Sequence, residues 1–218
     1  IGGSEITFEG LLQADANWYD EDVRALSASA TDGTDSDQDL RRAELVFKGK
    51  GPGQWEWVVG YDAKADKWLD TNVKYKFNSS TSVTFGQFKQ PNSMEELGST
   101  KNNDFISKAM TTNLQAVARR TGVAITTGGD SWTLTGSYMN RELTRNLANG
   151  QGFGARATWS PMHDSGNIFH LGLSAVSFEA KDAVSDGNAR FRVRPDADLT
   201  GTRLIDSGQF TDGNQITT

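Results

Sequence analysis

The sequence predicts an all-β protein, an antiparallel β-barrel that spans a membrane. The first observation is a series of segments of about ten residues in which side chains alternate with a period of two, as they do when one face of a strand meets lipid and the other meets the lumen. The second is that short turns alternate with long polar loops between these segments. The third is that tryptophan and tyrosine recur near the ends of the segments, where barrels carry aromatic girdles.

The composition permits a barrel and excludes several other classes. The chain has 218 residues and no cysteine, so neither disulfides nor thiol catalysis enter the argument. Its longest apolar runs are a few residues, far short of the ~20 that a transmembrane helix needs. The mean hydropathy of −0.55 is compatible with a barrel, because lumen-facing side chains keep the mean low. The net charge of −6 argues against a nucleic-acid partner, so any anion site must be local.

The third and fourth predicted strands show the alternation most clearly. The odd-numbered positions of 55–61 are tryptophan, valine and tyrosine, whereas the even-numbered positions of 56–62 include glutamate and aspartate. In the next segment the odd-numbered positions of 69–77, beginning with Leu69, form the apolar face, and the even-numbered positions of 70–76 form the polar face. Both faces of these strands are thereby assigned.

The seventh and eighth predicted strands repeat the rule later in the chain. Trp132, Leu134 and Tyr138 alternate with serine and threonine, and Phe153 and Trp159 alternate with glycine, arginine and threonine. The sequence predicts nine strands in all, at 5–17, 39–48, 55–63, 68–77, 82–88, 116–126, 131–141, 152–160 and 167–179.

The connections between these strands differ in length. Short turns are predicted at 49–54, 78–81, 127–130 and 161–166, and longer connections at 19–38, 89–115, 142–151 and from 180 onwards. Outer-membrane barrels have short turns at one end and long loops outside the cell. Since an open sheet edge cannot face hydrocarbon, the odd strand number leads us to expect that further C-terminal strands close the barrel. The chain opens without a leader pattern, as a mature exported protein would.

Several motifs, in their order along the chain, resemble the phosphate-selective O and P porins. They are Leu40-Arg41-Arg42-Ala43-Glu44-Leu45, Tyr61-Asp62 followed by Trp68-Leu69-Asp70, Phe85-Gly86-Gln87-Phe88, Ser160-Pro161-Met162-His163 with His170-Leu171-Gly172-Leu173, and Arg190-Phe191-Arg192-Val193-Arg194-Pro195. The resemblance implies that residues 1–218 are the N-terminal part of one porin barrel of ~16 strands. It implies a homotrimer in the outer membrane of a Gram-negative bacterium, in contact with lipid and lipopolysaccharide, through which phosphate or polyphosphate diffuses without a cofactor.

The resemblance also implies roles for two loops and their residues. The loop at about 89–115 would fold into the lumen as a constriction, and the segment at about 180–218 would be a long extracellular loop that carries arginines. The family places channel arginines at Arg41, Arg42, Arg190, Arg192 and Arg194, and basic constriction residues at Lys101 and Lys108. Asp70 matches an acidic residue that the family pairs with the arginine doublet.

Three departures from the family pattern bear on selectivity. Glu56 and Glu96 stand where the phosphate-selective relatives carry lysines, and Glu44 replaces an aromatic residue of the pore wall. Lys89, where a relative has tyrosine, partly offsets this change. Because carboxylates at a narrow constriction repel anions, a general or differently selective porin is an alternative. A non-transporting barrel and a soluble β-sandwich are two others.

Arg190, Arg192 and Arg194 have a period of two, so an extended chain projects all three from one face. A guanidinium donates two parallel hydrogen bonds to two phosphate oxygens and keeps its charge at any working pH. A row of such groups lets an anion change partners in steps, provided that each site is weak. The alternative is that these are solvated loop arginines, paired with acidic residues at Asp186, Asp196 or Asp198.

The doublet Arg41-Arg42 conflicts with strict alternation. On a regular strand one of the two would face lipid, where a charge costs about 2–4 kcal/mol at the bilayer midplane. We therefore expect either that the doublet lies near the extracellular rim or that a bulge turns both side chains inward.

No residue pattern indicates catalysis or a metal site. His163 and His170 are the only histidines and lack the spacing of a ligand set. No Gly-x-Ser-x-Gly elbow is present, so a membrane hydrolase is not expected.

Overall fold

The computed structural model describes residues 3–18, 37–144, 150–180, 189–194, 203–210 and 215–218. Most of these residues form one antiparallel sheet whose strands follow each other in sequence order. The strands are β1 Glu5–Asn17, β2 Asp37–Lys50, β3 Trp55–Asp62, β4 Lys67–Lys76, β5 Ser82–Lys89, β6 Arg119–Gly128, β7 Trp132–Met139, β8 Gly152–Asp164, β9 Asn167–Glu179, β10 Arg192–Val193, β11 Ile205–Asp206 and β12 Gln215–Thr217. Two short helices, α1 Met94–Leu97 and α2 Met110–Gln115, flank a 3-10 turn at Thr100–Asn102.

The antiparallel all-β prediction is confirmed, and all nine predicted strands occur in order. The sheet has ten strands rather than nine, because β12 adds to the edge of β9. The short strands β10 and β11 pair with each other outside this sheet. Strands of two or three residues are too short to show a period of two, so the sequence did not predict them. Among the described residues the edges of the sheet are β1 and β12, which do not pair with each other.

One face of the sheet exposes a continuous apolar surface. Phe8 is 58% exposed and Leu173, at the other side of the sheet, is 78% exposed. Aromatic side chains pair across neighbouring strands on this face: the ring centroids of Trp55 and Tyr75 lie 4.7 Å apart. Contiguous apolar surface on this scale requires an apolar environment. A soluble sandwich, by contrast, buries its apolar face between two sheets.

A bulge in β4 places one residue on the face opposite to the predicted one. Val59 pairs with Thr71 but Tyr61 pairs with Trp68, so β4 contributes one residue more than β3 at this point. Trp68 therefore turns outward and its ring meets that of Tyr61 at 5.1 Å. Leu69 is 3% exposed, so its predicted place on the outer apolar face is wrong.

A second bulge corrects the predicted turn at 161–166. The pairing of β8 with β9 shifts between Trp159 and Met162 and then continues to Asp164. Pro161 lies in this bulge, where its missing N–H removes no ladder hydrogen bond. The turn itself is confined to Ser165 and Gly166, and Gly166 has a φ of +92°.

Gln87 ties three parts of the chain together. Its side chain is completely buried, and its Nε2 donates to the carbonyl oxygens of Trp68 at 2.8 Å and Leu69 at 2.7 Å. Its Oε1 accepts from the backbone N–H of Leu143 at 2.7 Å. A buried amide with these partners joins the beginning of β4 to the connection after β7.

Candidate functional site on the polar face of the sheet

The segment 89–115, hereafter the internal loop, lies against the polar face of the sheet. At one side Lys101 Nζ donates to the Glu9 carboxylate of β1 at 3.0 Å. At the other side Ser174 Oγ of β9 donates to Asn92 Oδ1 at 3.4 Å. Because one loop touches both the first and the ninth strand of the sheet, the sheet must curve around it.

Two lysines and a glutamate brace the internal loop from within. Lys89 Nζ donates to the backbone carbonyls of Glu96 and Gly98, both at 2.8 Å. Lys108 Nζ forms an ion pair with the Glu96 carboxylate at 2.6 Å, and both side chains are nearly buried. Ser93 caps the first turn of α1 by accepting from the Glu96 N–H. Lys89, Lys108 and Glu96 therefore meet at one place, with their charged groups engaged.

A cavity of about 420 Å³ lies between the internal loop and the strands β1 to β4 and β6. Its lining contains eight basic and four acidic side chains, a formal excess of four positive charges. The basic members are Arg41, Arg42, Lys48, Lys67, Lys89, Lys101, Lys108 and Arg119, and the acidic members are Glu9, Glu44, Asp70 and Glu96. We call this the basic cavity.

The arginine doublet reaches the basic cavity through a bulge. The pairing of β1 with β2 joins Gln13 to Arg42 and the next residue, Ala14, to Leu40, so Arg41 is the extra residue. Both guanidinium groups line the cavity. Arg41 pairs with Asp15 at 3.1 Å and Arg42 with Glu44 at 3.3 Å. Of the two arrangements that the sequence left open, the structure contains the bulge.

Asp70 has a different partner from the predicted one. Its carboxylate pairs with Arg119 at 3.1 Å, although Arg41 and Arg42 line the same cavity. The predicted pairing with the doublet is not made, because the doublet has acidic neighbours on its own and the adjacent strand. Arg119 was missed by the sequence analysis. The second arginine doublet, Arg119-Arg120, was the signal that could have found it.

Arg190, Arg192 and Arg194 are not among the described residues that line the basic cavity. Arg190 forms a bidentate pair with Asp206, with Nε to Oδ1 at 2.9 Å and an Nη to Oδ2 at 2.6 Å. The candidate partners Asp186, Asp196 and Asp198 lie outside the described residues. β10 lies against α2, which places this arginine segment beside the internal loop.

The opposite side of the arginine segment is apolar, as the period of two predicts. Val193 is 4% exposed, and the ring of Phe191 packs edge-on against Phe210 with centroids 6.2 Å apart.

The pairing with Arg190 predicts an unusually acidic carboxyl group. The Arg190 guanidinium, with help from the Gly208 N–H, lowers the pKa of Asp206 from 3.8 to about 2. The ion pair therefore stabilises the pairing of β10 with β11 fully above pH 3.8, and this contribution is lost as the pH falls through about 2. A carboxyl ¹³C titration of the detergent-solubilised protein should give a midpoint near pH 2. Arg190→Gln should move it back towards 3.8, and an unshifted wild-type midpoint would contradict the pairing.

A second cavity of about 340 Å³ adjoins the first and extends to the short turn between β2 and β3. Its lining has three lysines and three glutamates, so its formal charge is balanced. Glu56 lies here and pairs with Lys76 at 2.6 Å. The two cavities share the lining residues Glu9, Lys48 and Val58. The polar face thus carries a basic and a neutral compartment in series.

Comparison with known proteins identifies the family of this chain. A family model described as phosphate-selective porin O and P matches residues 10–217. No curated protein matches the chain. No helix in the described part of the chain is long and apolar enough to span a bilayer. The family model covers nearly the whole chain. The chain therefore belongs to the phosphate-selective porin O and P family, a family of outer-membrane channels rather than of enzymes.

Proposed function

We propose that this chain forms part of a channel through which anions, phosphate or polyphosphate in particular, cross the outer membrane passively. The observation that carries the proposal is the charge of the basic cavity. The chain as a whole has a net charge of −6, yet the cavity under the internal loop has a formal excess of four positive charges. A concentrated cationic lining with low-dielectric walls raises the local concentration of anions.

The chemistry of the lining suits a phosphate group. Arg41, Arg42 and Arg119 offer planar guanidinium forks, which donate paired hydrogen bonds to two oxygens of one phosphate. Each of the three already has a carboxylate partner. An entering anion must compete with that carboxylate, so each contact is weak enough to release the ion, as conduction requires.

The arginine segment 190–194 is proposed as an outer guide to this cavity. It lies beside α2 of the internal loop, and its arginines could pass anions towards the loop in steps. Its placement on the extracellular side, a homotrimeric assembly, and contacts with lipid and lipopolysaccharide belong to the same proposal. They follow the general organisation of porins with long external loops and an apolar outer band.

A differently selective porin is the second candidate, and a specific observation favours it. Glu56 and Glu96, which replace lysines, are each within 2.6 Å of a remaining lysine. Lys89 and Lys108 are engaged in bracing the internal loop, and Lys101 is paired with Glu9. Fewer free ammonium groups would lower the affinity for a multivalent anion and favour smaller or monovalent ones.

Single-channel recording of the full-length protein in a planar bilayer tests the proposal. With a potassium chloride gradient, we expect a reversal potential of the sign that an anion-selective channel gives. Added phosphate should block the chloride current in a saturable manner. Anion selectivity without phosphate block would support the second candidate. A cation-selective current would refute both, and absence of current would indicate a non-transporting barrel.

A further inference from the structure

We propose that Glu9 clamps the internal loop to the barrel wall and thereby sets the width and the charge of the junction between the two cavities. Glu9 is a positioning residue in this proposal, and the inference deepens the proposed channel function. It rests on the geometry of three side chains, Glu9, Lys48 and Lys101, which we call the junction triad.

The Glu9 carboxylate joins the wall and the loop. One oxygen accepts from Lys48 Nζ of the neighbouring strand β2 at 2.7 Å, and the other accepts from Lys101 Nζ of the internal loop at 3.0 Å. Lys101 and Glu9 are 92 residues apart in the chain. The Lys101–Glu9 contact therefore depends on docking of the loop against the wall and not on the pairing of β1 with β2.

The junction triad lies where the cavities adjoin. Glu9 and Lys48 line both cavities, and Lys101 lines the basic one. An ion that moves from the basic cavity to the neutral one must pass this pair of residues. The carboxylate holds the loop near the wall and offsets one of the two lysine charges at the same point.

A second contact shows that β1 is the docking strand. Gln13 lies four residues after Glu9, on the same face of β1, and its Nε2 donates to the Ile106 carbonyl of the loop at 3.3 Å. The 3-10 turn at Thr100–Asn102 positions Lys101 towards Glu9, since Ser99 caps that turn through the Lys101 N–H. The loop is thus held at two points along one strand.

The chain provides a matched control on the same strand. Glu5 lies four residues before Glu9, on the same face, and pairs with Lys50 of β2 at 3.4 Å. Glu5→Gln and Glu9→Gln each remove one carboxylate from the polar face and break one contact with β2. Only Glu9→Gln also breaks a contact with the internal loop.

The test measures how readily the loop moves away from the wall. This chain contains no cysteine, so Asn103→Cys places one thiol two residues from Lys101, where the side-chain nitrogen of Asn103 is shielded from solvent. The labelling rate of this thiol with a neutral maleimide is measured in the full-length protein in detergent. We expect Glu9→Gln to increase the rate about two- to five-fold, the range that loss of an exposed ion pair permits. Glu5→Gln should leave the rate unchanged.

Two further variants keep the test decisive. Lys101→Met removes the loop partner without altering any strand, so it should reproduce the faster labelling even where Glu9→Gln folds poorly. The double variant Glu9→Gln/Lys101→Met should label no faster than either single variant, because both remove the same contact. Equal rates in Glu9→Gln and Glu5→Gln, or additive effects in the double variant, would overturn the clamp.

Current recordings separate this inference from the proposed function. Glu9→Gln frees two lysines at the junction, so we expect a larger shift towards anion selectivity than in Glu5→Gln, together with more frequent fluctuations of the open-channel current. The labelling rates do not depend on which ion the channel carries. A cation-selective wild-type channel with faster labelling in Glu9→Gln would therefore refute the anion-channel proposal and support the clamp.

Discussion

Arg42→Gln is expected to weaken phosphate block of the channel about ten- to hundred-fold, the cost of one charge-assisted hydrogen-bonding group. Arg42 lines the basic cavity, and its loss lowers the formal excess there from four positive charges to three. It also leaves the Glu44 carboxylate, now 3.3 Å from the guanidinium, facing an entering anion. The measurement is the phosphate concentration that halves the single-channel chloride current.

The partner variants separate the guanidinium from the net charge. Arg42→Gln/Glu44→Gln restores the formal excess of four, and Glu44→Gln alone raises it to five while releasing Arg42. If the guanidinium fork is what holds phosphate, the double variant stays weak and Glu44→Gln binds more tightly than wild type. Full recovery in the double variant would show that only the net charge matters. Lys50→Gln on the same strand, outside the basic cavity, controls for loss of one charge elsewhere on the polar face.

Gly86→Ala is expected to impair folding of the sheet. Gly86 has a φ of +118°, and a Cβ at this position would lie 2.4 Å from the Thr71 carbonyl oxygen of the neighbouring strand. The backbone strain alone costs about 1–3 kcal/mol, and the clash forces β4 and β5 apart as well. Displacement here would also disturb Gln87, whose hydrogen bonds join the beginning of β4 to the connection after β7.

The measurement is the urea dependence of folding of the full-length protein into lipid vesicles, followed by the shift in gel mobility between folded and unfolded forms. Gly136→Ala is the matched control, because a Cβ there meets nothing within 4 Å in the middle of β7. We expect the folding midpoint of Gly86→Ala to fall to lower urea and that of Gly136→Ala to stay near wild type. Equal midpoints would mean that the close approach of β4 and β5 is not required.

The sequence analysis misassigned a strand face and the length of a turn at bulges. A period of two assigns faces correctly as long as each residue on one strand opposes one residue on the next. This holds for most of β3 and for β4 from Thr71 onwards. One extra residue shifts the alternation by one position, so the side chains on the two sides of a bulge do not follow one pattern, which is why Leu69 lies inside and Trp68 outside. At the doublet Arg41-Arg42 the cost of a charge in lipid left two arrangements open, a position near the rim or a bulge, and the structure contains the bulge.

The sequence analysis predicted where the internal loop lies in the chain, but it did not predict which ion pairs the residues of the loop form. Its length and mixed charges indicated a loop that packs against something, and the resemblance implied its place. Whether Lys108 or Lys101 offers a free ammonium group depends on which carboxylate lies within reach. Lys108 pairs with Glu96 inside the loop, whereas Lys101 pairs with Glu9 near the N-terminus of the chain.

The sequence by itself determined the number and order of the nine long strands, the side of the sheet on which apolar residues lie, and the family. These depend on neighbours one and two positions apart and on short motifs, all of which are local. Only the tertiary structure decided which charges meet. Arg119 and Asp70 are 49 residues apart and Lys101 and Glu9 are 92 apart. Ion pairing follows distance in space, which curvature of the sheet and docking of the loop establish and which a local pattern does not encode.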